Sequence, residues 1–304
     1  MASVDIVSQA QHAGVVILAF NVPYLPMVKP VVEAVADQNV VAMIATARLE
    51  WIKFESRSLE AVAEEFNRWK KPGYVWLHLD HVPVIDEDNL AVDYMPLFKK
   101  AITLGYQSVM VDGSRLQFTE NIEATQHVVE LAHIAGIPCE AELGAVLGHE
   151  SGPLPSYEEL FATGRGFTDP QEAHQFVEST GCDWLSVAVG NIHGAISGAF
   201  KDQKKVEARL KIERVEQLAR ATCIPLVLHG GSGIKREFIS SAITQGVAKI
   251  NIGTEIRQAY EAALQQTGSV EAAQQAVYER TTWLLRDYYG LRGMKKVIDE
   301  FTRN

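Results

Sequence analysis

Cysteine is scarce: Cys139, Cys182 and Cys223 are the only three in 304 residues, and no two lie close together in sequence. An odd count without close pairs excludes a disulfide frame and reads as reduced thiols in a cytoplasmic protein. Each falls in or beside an expected strand start, where a small buried hydrophobe is the plain reading. Long apolar runs are missing too, so no segment is suited to cross a bilayer. The opening stretch MASVDIVSQAQHAG lacks the basic-then-apolar layout of a secretory leader. Positive charge is in deficit, with 28 Lys and Arg against 38 Asp and Glu and a net charge of −10. That balance argues against broad nucleic-acid binding and against a basic membrane-attachment face. An anionic ligand therefore needs locally placed donors.

What the chain does have is apolar material, 47% of residues, enough for a substantial core. Eight short runs rich in Val, Ile, Leu and Ala recur along it: VVILAF, VVAMIAT, YVWLHLD, SVMVDG, IPCEAELG, WLSVAVG, PLVLHGG and KINIGT. Their near-continuous apolar character fits parallel strands covered on both faces. Segments with helical spacing lie between them. NIEATQHVVELAHIAG carries much of an apolar stripe in Ile122, Val129, Leu131 and Ile134. FTDPQEAHQFVESTG brings Asp169 as a cap, Pro170 at the first helical position and Glu172 placed to reach back. Eight alternations without an interdomain linker predict an α/β fold with one domain over residues 1–304, a single (β/α)8 TIM barrel. Two stretches exceed the minimal pattern. A Gly- and Pro-punctuated connection after the fifth strand, about 145–167, is expected to be a mobile functional loop. Residues from about 270 to 304 form an extra C-terminal helical extension, and 195–205 after the sixth strand is a second candidate for motion.

Catalytic groups in such barrels gather at the C-terminal ends of the strands. Three histidines occupy those places: His81 after YVWLHLD, His193 after WLSVAVGNI and His229 after IPLVL. Neutral imidazole is a common zinc ligand, and a catalytic zinc site takes three protein ligands and keeps a position open. Singly, each histidine reads better as a hydrogen-bonded structural group; together with the acids around them they read as a metal site. His78, two residues before Asp80, faces the barrel interior or supports the metal shell. The turn Gly230-Gly231-Ser232-Gly233 follows a strand and opens a helix, so its backbone N–H groups suit a phosphate. Asn251 to Thr254 approach the same region from the eighth strand. Lys249 begins its run instead of ending it and reads as solvated or at the barrel bottom, which disfavours a Schiff-base mechanism.

The segments AFNVPY, LHLDH, SVMVDGSRLQFTENIEATQHVVELAH, CEAELG, FTDPQEAHQFVESTG, VAVGNIHG, IPLVLHGGSGI and KINIGTEIR run in order from Ala19 to Arg257. In them the chain resembles the class II, zinc-dependent ketose-bisphosphate aldolases, which include fructose- and tagatose-bisphosphate aldolases. The resemblance implies a zinc lyase for reversible aldol cleavage of a ketose (bis)phosphate to dihydroxyacetone phosphate and an aldehyde such as glyceraldehyde 3-phosphate. It implies His81, His193 and His229 as zinc ligands, with Asp112 and Glu142 for alternative metal positions and room for a monovalent cation. Asp80 would exchange a proton with the C4 oxygen, and Glu150 would move the proton on the enediolate carbon. Gly194, Gly230, Gly231, Ser232, Asn251, Gly253 and Thr254, with Asn21 and Thr46 at neighbouring strand ends, would hold the dihydroxyacetone phosphate half. Arg292 would reach a distal phosphate in a neighbouring subunit's site, within a homodimer or homotetramer. The sequence departs from the family's pattern around the second strand (IATARLEW), after LDH (VPVIDEDN), at GAVLGHES and at Gly253. These departures surround the site and leave the aldehyde half open. Two other readings therefore stand: the same zinc chemistry on a different phosphorylated sugar or sugar acid, and a non-catalytic phosphosugar-binding barrel.

Overall fold

The computed structural model describes residues 5–144, 157–191, 208–231 and 233–301. Eight parallel strands pair in chain order: β1 (Ile17–Asn21), β2 (Ala42–Ala47), β3 (Val75–Pro83), β4 (Ser108–Asp112), β5 (Cys139–Leu143), β6 (Trp184–Val187), β7 (Leu226–Leu228) and β8 (Val247–Ile252). β1 pairs with β8, so the sheet closes into the expected (β/α)8 barrel. Each apolar run of the sequence overlaps one strand. Every residue of β1, β2, β5 and β8 is buried, as parallel strands between a filled interior and a helical coat require. Phe20, Phe98, Phe176 and Trp184 are among the fully buried side chains. Burial of each contributes on the order of 1.5–3 kcal/mol.

The helices start and stop where local chemistry dictates. Asp169 Oδ1 accepts from the N–H groups of Gln171 and Glu172, Pro170 takes the first position, and Gly181 ends the helix Pro170–Thr180 at φ 67°. Asp5 caps the helix Ile6–Ala13 and also accepts from Trp184 Nε1 at 3.1 Å. Trp184 is the first residue of β6, so this helix lies against the strand starts, at the barrel end opposite the strand C-termini. Beyond β8 come the helices Thr254–Thr267 and Val270–Trp283, a π-helical turn Leu284–Tyr288 and the helix Lys295–Phe301.

Four expectations need correction. Ile134 is 80% exposed; the helix Phe118–Ile134 instead buries Ala124, Val128, Val129 and Ala132. Cys223 is exposed in a left-handed cap at φ 59°, while Cys139 and Cys182 are buried. Part of the long connection after β5 is the helix Tyr157–Thr163. Lys249 is neither solvated nor at a strand start, since β8 begins at Val247 and Lys249 is fully buried within it.

Candidate active site

Polar residues two apart on a strand face the same side. Three such pairs enter the barrel: His78 and Asp80 on β3, Glu140 and Glu142 on β5, Lys249 and Asn251 on β8. All six are buried. His81 should point away from Asp80 by the same rule. It does not, because β3 carries one residue more than β4 between the pairs Leu79–Val109 and Val82–Val111. At this bulge His81 adopts φ 34°, a conformation an L-residue holds only when its surroundings impose it. The irregularity re-aims the imidazole, so that Asp80 and His81, neighbours in sequence, serve one site.

Asp80 is held on both oxygens. Asn21 Nδ2 donates to Oδ2 at 2.8 Å and Asn251 Nδ2 to Oδ1 at 2.9 Å. Burial by itself would raise its pKa, but His81, His78, Lys249 and His229 outweigh it and keep Asp80 well below the usual carboxylate range. His78 Nε2 lies 3.7 Å from both Asp80 and Glu140, and its Nδ1 lies 2.8 Å from the Ser108 hydroxyl. Burial, reinforced by Lys249, lowers the His78 pKa and leaves the ring neutral.

His81 and His229 face one another, Nε2 to Nδ1, at 2.6 Å. Their outer nitrogens are each braced by a carboxylate: His81 Nδ1 by Asp112 at 3.2 Å, His229 Nε2 by Glu140 at 2.8 Å. Burial would depress His81, yet Asp80, Asp112 and Glu142 together push it up to about 10. Burial and the charge on His81 lower His229. Glu142 Oε2 lies 3.5 Å from His229 Nδ1, and burial beside Asp112 raises its pKa well above the ordinary carboxylate value. Ligand atoms of Asp80, His81 and His229, and of His81, Asp112 and Glu142, lie within 4.8 Å of one another. Inner nitrogens converging on one point, with outer nitrogens on carboxylates, form a donor set that fits zinc. His193, the third expected ligand, lies outside the described residues, as do Gly194, Glu150 and Ser232.

Thr46 is fully buried at the end of β2, and Gly253 sits 3.4 Å from Asn21 Cβ, measured from where a Cβ would stand. Thr254 opens the helix after β8. Gly230 turns at φ 73°, and Gly231 N–H donates to the Asn251 carbonyl at 3.0 Å, joining the turn after β7 to β8. Asn191, also buried, donates to the His229 carbonyl at 3.1 Å. Arg292 is exposed beside the turn Gln38–Asn39 that precedes β2. No contact joins it to the other candidates among the described residues.

Sequence reasoning assigned no role to three residues that shape this site. Lys249 Nζ donates to Glu140 Oε2 and Asn251 Oδ1, both at 2.7 Å. One oxygen of Asn251 thus engages the ammonium while its nitrogen engages Asp80. Glu140 links that ammonium to His229; burial would raise its pKa, but Lys249 first and then His229 bring it down to about 2. Glu50, at the third position of the helix Arg48–Lys53, accepts from Ala47 N–H at 2.9 Å. Burial pushes it up to about 8. The signal for the first two was present: polar residues two apart in runs otherwise apolar.

Relatives share this arrangement of strands over nearly the whole chain. The sequence profile of the family described as class-II fructose-bisphosphate aldolase matches residues 2–304. A Bacillus subtilis (strain 168) protein described as "Probable fructose-bisphosphate aldolase" is 31% identical over 268 residues, 86% of this chain and 84% of that protein. A fructose-bisphosphate aldolase of Staphylococcus epidermidis is 32% identical over 256 residues, 83% and 80% of the two chains. The crystal structure of the YdjI aldolase from Escherichia coli K12 superposes with a TM-score of 0.75 at 30% identity, covering 97% of this chain and 100% of that one. The chain belongs to the class II fructose-bisphosphate aldolase family and is a carbon–carbon lyase.

Proposed function

We propose that this protein is a zinc-dependent aldolase that reversibly cleaves a ketose (bis)phosphate to dihydroxyacetone phosphate and an aldehyde such as glyceraldehyde 3-phosphate. The observation that carries the reading is the bulge in β3, which brings an ionised, doubly hydrogen-bonded Asp80 next to an imidazole aimed at a second imidazole. His81 and His229, with His193, would hold the zinc; Asp112 and Glu142 would serve alternative metal positions. When bound, the metal supplies a Lewis acid for the electron pair left beside the carbonyl as the carbon–carbon bond breaks. Asp80 takes the proton from the C4 hydroxyl in the cleavage direction and returns it in condensation. His81, His78, Lys249 and His229 keep the carboxylate ionised, and its two amide donors fix its orientation. The turn from Gly230 to Gly233 and the start of the helix at Thr254 would offer backbone donors to the phosphate, whose capture would position the scissile bond for cleavage. Glu150 would act on the carbon of the donor half. None of the described helices is long and apolar enough to cross a membrane.

Two experiments test this reading. Chelation abolishes cleavage of fructose or tagatose bisphosphate and zinc restores it; undiminished turnover in demonstrably metal-free protein sinks the mechanism. Asp80→Ala keeps zinc but lowers cleavage by about 10²–10⁴-fold. Loss of zinc from that variant instead makes Asp80 a structural part of the metal site. A panel of aldehydes condensed with dihydroxyacetone phosphate then identifies the acceptor half.

A further inference from the structure

A lysine that never reaches the surface is an unusual component of a barrel interior. The Lys249 ammonium is fully enclosed between two polar side chains, Glu140 Oε2 and Asn251 Oδ1, each at 2.7 Å. A buried ion pair is often no more stable than apolar side chains of the same volume. Stability alone therefore does not account for a lysine at this position, and the groups it touches offer a better reason.

An asparagine amide accepts on one side and donates on the other, and half a turn about its last bond exchanges the two. In Asn251, Oδ1 accepts from Lys249 while Nδ2 donates to Asp80 Oδ1 at 2.9 Å. Turned over, the amide would set N–H groups against an ammonium and an oxygen against an ionised carboxylate, so both contacts would fail together. The ammonium has three donors and no acceptor, and it therefore admits one orientation only. Lys249 and Asn251 are two apart on β8 and face the same side, which builds the link into a single strand. Glu140, on β5, anchors the far side of the ammonium. His78 Nε2 stands 3.7 Å from both Asp80 and Glu140, beyond hydrogen-bond reach, so it orients neither carboxylate. Asn21 holds the other oxygen of Asp80 from β1, which leaves Oδ1 dependent on the direction of the Asn251 amide.

We propose that Lys249 is a positioning residue for the cleavage step: anchored on Glu140, its ammonium sets the direction of the Asn251 amide, which keeps an N–H and not an oxygen against Asp80 and so aims the carboxylate. This inference rests on the reading of Asp80 as the group that takes the C4 hydroxyl proton. Lys249 then acts through Asn251, at one remove from the reacting atoms.

The test is a double-mutant cycle on the zinc-loaded full chain, with Lys249→Met, Asn251→Ala and the two combined, assayed on fructose and tagatose bisphosphate. Lys249→Met lowers kcat/KM for cleavage about 10–100-fold, the range for one lost hydrogen bond to a charged group. In the Asn251→Ala background the same substitution costs about twofold or less, because the amide it would orient is gone. A lysine that only holds the barrel together lowers both by the same factor, and that result overturns the proposal. Zinc content stays equal in wild type and Lys249→Met; zinc loss from the variant traces its effect to the metal through Glu140 and His229, and overturns the proposal as well. Run on Glu140→Gln protein, the cycle strands no carboxylate, and the same dependence on Asn251 is expected there if Lys249→Met alone does not fold. A second readout needs no turnover. In zinc-loaded protein labelled with 15N-asparagine, Asn251→Ala identifies the Nδ2 signal, whose hydrogens exchange with solvent about tenfold faster or more in Lys249→Met. Unchanged exchange overturns the orientation of the amide. A wild type that cleaves neither bisphosphate, or an Asp80→Ala variant as fast as wild type, instead overturns the role given to Asp80, while the exchange rates report on the amide alone.

Discussion

Lys249→Met removes a charge from the middle of the barrel while keeping a side chain of similar length. In the native protein Lys249 and Glu140 are both fully buried, with Nζ 2.7 Å from the carboxylate and 2.7 Å from the Asn251 amide oxygen. Methionine fills the space but leaves Glu140 ionised without its cation. Breaking a buried pair from one side costs about 3–5 kcal/mol. With an unfolding entropy of about 2.1 cal/mol/K per residue over the 304-residue chain, the Tm falls by about 5–8 °C. Calorimetry on metal-free protein at pH 7 measures it. The effect must depend on pH. Glu140 is depressed from 4.5 to about 2, so the stability it contributes is present above pH 4.5 and is lost as pH falls toward 2. The gap between wild type and variant therefore narrows in acid. Glu140→Gln added to Lys249→Met removes the stranded charge, so the double variant is more stable than Lys249→Met alone. A Tm within about 1 °C of wild type, or a double variant no more stable than the single, refutes the buried-pair argument.

Glu50→Gln tests a carboxyl shifted in the opposite direction. Its folded pKa of about 8 exceeds the unfolded 4.5, so the native protein binds the extra proton between these values and loses stability as pH rises through that window. In chelator-treated protein the glutamine variant gains on wild type by a few kcal/mol between pH 5 and pH 8; denaturation midpoints that run parallel across that range contradict it. Gly231→Ala places a methyl group against Ile250 and the Asn251 carbonyl, and destabilises by about 1–3 kcal/mol. A crystal structure of that variant with an unmoved turn, and a melting curve matching wild type, defeats this claim.

The barrel is legible in the sequence because parallel strands buried on both faces must be apolar, and eight such runs stand out between amphipathic helices. Asp80, His81 and His229 are legible for a related reason, since each interrupts or ends a run where only chemistry justifies a polar group. Lys249 was hidden by the same rule. A lysine at the head of KINIGT looks like the boundary of a run, whereas Val247 and Ala248 already belong to the strand and the ammonium is satisfied by Glu140, more than a hundred residues earlier. The bulge at His81 leaves no local signature either, because an extra residue in one strand is defined only against its partner. The contact of Tyr289 with Gly231 joins residues 58 apart and depends on a π-turn that composition does not announce. Ile134 fits the helical period yet faces outward, because the helix Phe118–Ile134 turns its smaller residues, Ala124 and Ala132, toward the barrel.

The extra residue in β3 also sets sheet regularity and chemistry against each other at one peptide. Deleting a single residue there would restore unbroken alternation and a better-matched ladder with β4, while turning either the carboxylate or the imidazole out among the surrounding helices. The most regular barrel this sequence could form would therefore split that pair. A lineage that smoothed this strand would improve its sheet in the same step that separated Asp80 from His81.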